Sequence, residues 1–116
     1  MNKGVLMIEL DKKYVFHIPK YKFEDNELTP IDTNILKDFI TKLNENGYSS
    51  AYLTDVKSYY KNRAYDETLI TLFTSQDREP EKIFKEFFTE NNNILKQEAF
   101  AYECNNRMLI ETLTKI

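Results

Sequence analysis

A chain of 116 residues, 41% hydrophobic and 30% charged, has the length and composition of one soluble globular domain. Sixteen basic against nineteen acidic residues leave a net charge of −3, which works against nucleic acid or an anionic membrane as partner. One cysteine, Cys104, excludes an internal disulfide, and with one histidine, His17, it excludes zinc of the usual Cys/His kind.

The expectation is therefore a single α+β domain over 1–116 in the reducing cytoplasm, with no metal and no cofactor. The amino-terminal apolar run is too short for a signal peptide. No stretch approaches the roughly 20 apolar residues of a membrane span. Abundant Lys, Asn, Ile, Tyr and Phe suggest an AT-rich, bacterial genome.

In chain order, Val5 and Met7 alternate with Leu6, Ile8 and Leu10, which predicts a strand over 4–10. Asp11-Lys12-Lys13 reads as a turn. Tyr14 to Ile18 is a second strand that stops at Pro19, which lacks an amide donor. Residues 20–28 read as a polar loop. Thr29 as N-cap and Pro30 at the first helical position open a helix over about 30–46. Its apolar stripe is Ile31, Ile35, Leu36, Phe39, Ile40 and Leu43, and Gly47 ends it.

A strand region from Tyr48 to Tyr60 follows. It turns through 61–64 into Tyr65–Thr74, the strand expected at the centre of the sheet. There Leu69 and Phe73 point to one face and Ile70 and Leu72 to the other, so both faces need cover. Pro80 opens a second helix with the stripe Ile83, Phe84, Phe87 and Phe88, and Asn91-Asn92-Asn93 is expected to stop it. Leu95 to Cys104 and Arg107 to Leu113 are two strands about an Asn105-Asn106 turn.

Without its outer strands this order is βαββαβ. The plan is ferredoxin-like: an antiparallel sheet with two helices on one face, here with extra terminal strands. Tyr14–Pro19, the capped helix before Gly47-Tyr48, the hairpin ending Asp66–Ile70, and Gln97-Glu98-Ala99 resemble a family of small bacterial βαββαβ proteins without assigned activity. The resemblance covers roughly 14–104 and implies the fold. The chain departs from the family in having no tryptophan and few glycines, and no functional residue is carried over.

The chemistry is sparse. His17 is the obvious general base, against the plainer reading of a strand histidine facing solvent. Cys104 shares a face with Phe100 and Tyr102 and reads as core rather than nucleophile. Glu67 shares a face with Leu69 and Phe73 and would need a partner if that face is covered. Tyr60 lies in the run Tyr59–Tyr65, where aromatics and cations mix, but the acidic balance weighs against base stacking. The catalytic candidates are therefore His17, Tyr60 and Glu67.

The leading expectation is a non-enzymatic module, a homodimer or protein-binding unit, with Leu72 and Phe73 at its interface. The alternative is a cofactor-free small enzyme or small-molecule binder of the dimeric α+β barrel type. A third reading is a small acidic protein that neutralises a basic partner.

Overall fold

A computed structural model describes residues 4–48 and 50–113; the side chain of Tyr60 lies outside what is described. The elements are β1 (Lys12–Pro19), β2 (Tyr21–Glu24), β3 (Glu27–Pro30), α1 (Thr33–Glu45), β4 (Ala51–Tyr60), β5 (Arg63–Thr74), α2 (Glu81–Leu95), β6 (Ala99–Cys104) and β7 (Arg107–Thr112). Five strands form one sheet in the order β4-β5-β1-β6-β7, and every pairing in it is antiparallel. The fold is α+β, with both helices packed on one face.

That face holds the core. Tyr14, Phe16 and Ile18 of β1, Ile70 and Leu72 of β5, and Phe100 and Tyr102 of β6 are buried against Ile35, Phe39 and Leu43 of α1 and Phe84, Phe87, Phe88 and Leu95 of α2. Period-two and helical spacing in the sequence dictate these sets. Phe16 lies at the middle, with ring centroids 5.7 Å from Phe39, 4.7 Å from Phe84 and 6.1 Å from Tyr102.

Leu72 is wholly buried in this core, so it cannot lie at an interface, contrary to expectation. Phe73, one residue on, faces away from the helices and is 36% exposed.

Further expectations are corrected. Residues 4–10 form no strand. β1 is flanked on both sides, by β5 and β6, so no edge remains for a hairpin with the segment before it. The supposed loop 20–28 and the supposed helix start instead form the β2–β3 hairpin, turning at Asp25-Asn26 with positive φ at both. Pro30 ends that edge strand, where a missing amide hydrogen costs nothing. Asp32, not Thr29, caps α1, its carboxylate accepting from the Asn34 amide at 2.9 Å.

Three strands thus precede α1, which departs from the expected βαββαβ order. The Asn91–Asn93 run does not stop α2 either. One more turn buries Leu95 completely, and the left-handed Lys96 forms the cap. Asn92 then ties down the chain beyond the cap, bonding both the amide and the carbonyl of Gln97.

The turns Lys61-Asn62 and Asn105-Asn106 have positive φ at both residues, as tight two-residue hairpins require. Gly47 has φ +85 and lies beneath the Arg78 guanidinium, which stacks 4.4 Å from the Tyr48 ring and bonds the Asn46 carbonyl. A Cβ there meets Arg78 only at 3.6 Å, so the penalty for Gly47→Ala is the left-handed backbone alone. We expect a loss of about 1 kcal/mol, read as a melting-temperature drop of roughly 4–6 °C.

No helix among the described residues is long and apolar enough to cross a membrane.

Candidate functional site

The face of the sheet away from the helices carries the polar cluster. His17 is on it because Phe16 and Ile18 point into the core. In the registers of the sheet His17 lies opposite Leu69 on β5, while Glu67 pairs with Pro19 and Glu103 on β6 pairs with Val15. Both glutamates are therefore diagonal to His17, a separation that long side chains span. Ser58 on β4 lies opposite Tyr65, one further diagonal step from Glu67. From Ser58 to Glu67 to His17 to Glu103, each change of strand moves two residues in the same direction. The four side chains form a straight polar line across four strands.

The contacts are close. His17 Nδ1 lies 2.7 Å from Glu67 Oε2, and Nε2 lies 2.8 Å from Glu103 Oε2. The Ser58 hydroxyl donates to Glu67 Oε1. Two carboxylates are acceptors only, and a neutral imidazole has one N–H, so the arrangement requires imidazolium, which donates to both.

Burial by itself would lower the His17 pKa. Hydrogen bonds to Glu67 and Glu103, and their charge, outweigh it and hold the pKa above the ordinary 6.5. For Glu67, burial would raise the pKa, but hydrogen bonds from His17 and Ser58 hold it below the ordinary 4.5. The side chains are 16% (His17), 19% (Glu67) and 34% (Glu103) exposed. With one imidazolium and two carboxylates the cluster carries a net charge of −1. Both oxygens of Glu67 are engaged. Among the described residues Glu103 Oε1 has no hydrogen-bond partner, so Glu103 is the freer carboxylate.

Of the sequence candidates, His17 and Glu67 are in contact. Tyr60 ends β4 opposite Arg63, and its side chain lies outside the described residues. Cys104 is on the helix side of the sheet, away from His17. It adjoins Tyr14, whose hydroxyl is pushed well above its ordinary 10.0 by burial and by hydrogen bonds to Glu81 and Cys104.

Sequence reasoning missed Glu103 and Ser58. A signal for Glu103 existed: it alternates with Phe100, Tyr102 and Cys104, so it had to face away from the core. What was lacking was the knowledge that β6 lies beside β1. Among the described residues no group of three or more His, Cys, Asp or Glu side chains is arranged to hold a metal ion.

No family model and no curated protein matches this sequence. Solved structures do share the fold. A phage SAM lyase in its apo state superposes with TM-score 0.63 at 14% identity, over 97% of this chain and 99% of that one. A phage SAM lyase in complex with S-methyl-5′-thioadenosine gives TM-score 0.53 at 14% identity, over 94% of this chain and 97% of that one. The fold therefore occurs, essentially from end to end, in an enzyme with a small-molecule ligand. This overturns the expectation of a non-enzymatic module.

Proposed function

We propose that this chain is a small lyase that binds a sulfonium nucleoside of the S-adenosylmethionine class and releases S-methyl-5′-thioadenosine. The observation that carries the reading is the net-negative Glu67–His17–Glu103 line on the helix-free sheet face, in a fold shared along its length with a SAM lyase. The reading rests on matching this charge to the substrate.

A sulfonium carries a fixed positive charge that cannot be titrated away, so a negative cluster recognises it at any ordinary pH. Breaking the carbon–sulfur bond leaves the electron pair on sulfur, which departs as a neutral thioether and needs no acid. In an elimination the adjacent carbon gives up a proton, and that C–H pair becomes a carbon–carbon double bond.

Glu103, with one oxygen free, is suited to take the proton. Glu67, bonded at both oxygens and held ionised, is suited to face the sulfonium. His17 positions both carboxylates. Without the β2–β3 hairpin and β7, the remaining elements support a ferredoxin-like plan.

The test is to incubate the purified protein with S-adenosylmethionine and follow S-methyl-5′-thioadenosine by chromatography. We expect release, lowered by on the order of 100-fold or more in Glu103→Gln. No release by the unmodified protein, together with no binding of S-methyl-5′-thioadenosine by calorimetry, refutes the reading.

A further inference from the structure

Residues 4–10 stand off the body of the protein. Val5 is 100%, Leu6 85%, Met7 84% and Ile8 75% exposed, so four consecutive apolar side chains meet water. Alternation gives this segment two apolar faces, Val5 and Met7 on one and Leu6, Ile8 and Leu10 on the other. Such a segment is suited to a strand covered on both sides.

The sheet has two open edges, β4 and β7. β4 is ten residues long and exposes apolar side chains on both of its faces. Tyr52 (53%) projects to the helix-free side, and Leu53 (48%) and Tyr59 (75%) project to the other. β7 is six residues long, and its large exposed apolar side chains, Met108 and Ile110, lie on one face only. A ten-residue edge without proline or bulge is a ready template for another strand. The two-sided segment and the two-sided edge are complementary.

Within one chain residues 4–10 cannot meet that edge over their length. The segment enters β1 at Lys12, and β5 and β4 lie between it and the outer edge of β4. Three strand spacings come to about 14 Å, which consumes roughly four residues and leaves only Gly4, Val5 and Leu6 of the segment to lie against β4. Both halves of the contact are on this chain, so the partner that fits is a second copy.

We propose that residues 4–10 of one copy add as an extra strand to the β4 edge of another. The inference is independent of the lyase reading, because none of the residues varied below belongs to the Ser58–Glu67–His17–Glu103 line.

Light scattering on a sizing column tests it with the full chain. We expect a mass that is a multiple of 13.9 kDa. The pair Leu6→Asp with Ile8→Asp, and separately Tyr52→Lys with Leu53→Lys, should each weaken association by at least about tenfold, toward the monomer. All four positions are exposed, so an unchanged circular-dichroism melt of the monomer shows that the fold is intact. Ile110→Asp, on the helix-free face of β7, should leave the mass unchanged. A monomeric unmodified protein overturns the proposal. So does an assembly that survives either double variant, or one that Ile110→Asp dissolves.

Discussion

Phe16→Ala lowers the stability of this protein by about 3–5 kcal/mol, a large share of the 5–15 kcal/mol typical of a domain. Phe16 is fully buried on the central strand, stacked 5.6 Å from Tyr14 and in edge or tilted contact with Phe39, Phe84 and Tyr102. It thus joins β1, β6 and both helices.

Truncation removes the transfer free energy of the ring and leaves a cavity among residues that cannot collapse into it. The neighbouring rings are themselves fixed: Phe84 also contacts Phe88 at 5.0 Å and Phe100 at 5.5 Å. Urea denaturation followed by circular dichroism reads the loss as a lower midpoint with an unchanged slope. A loss under about 1 kcal/mol means that the packing around Phe16 is loose.

His17→Gln is the second large effect, and its signature is in pH. The substitution leaves Glu67 and Glu103 facing one position with no cation between them, and an amide can donate to only part of what imidazolium serves. Removing one partner from a buried ionic network costs several kcal/mol. The partial exposure of all three groups brings this down to about 1–3 kcal/mol.

His17 has a raised pKa in the folded state. Its contribution is complete below the ordinary 6.5 and fades as pH rises through the folded value above it. Glu67 has a lowered pKa. Its contribution is complete above the ordinary 4.5 and fades as pH falls through the folded value below it. The stability advantage of the unmodified protein over His17→Gln is therefore greatest between about pH 4.5 and 6.5 and declines on either side. Melting temperatures of both proteins across pH 3–9 check this. A difference that is flat with pH refutes the imidazolium clamp.

Much of the architecture was legible from local chemistry. The stripes of α1 and α2, the opposed faces of Leu69 and Phe73 against Ile70 and Leu72, and the Asn105-Asn106 turn follow from side-chain period and backbone preference alone. The errors share a cause. Thr29-Pro30 is a sound helix start by propensity, but Ile31 donates its amide to the Lys20 carbonyl at 2.8 Å, and the hairpin wins. Asn91–Asn93 is a sound helix stop, but the complete burial of Leu95 outweighs it. In both places a tertiary contact was worth more than the local preference that opposed it.

The polar site shows the same division more sharply. Sequence alone put His17 on the strand face opposite Phe16 and Ile18, and Glu67 on the face of Leu69 and Phe73, but not which face of the central strand the helices cover. It determined the acidic balance and the absence of a Cys/His metal set as well. Only the tertiary structure decided that β5 and β6 flank β1, in registers that put Glu67 two residues to one side of His17 and Glu103 two residues to the other. These groups are 50 and 86 residues from His17 in the chain. No local period carries information across such distances. The order of strands in the sheet, set by how the two helices and the core close over one face, turned separate polar residues into a charged line.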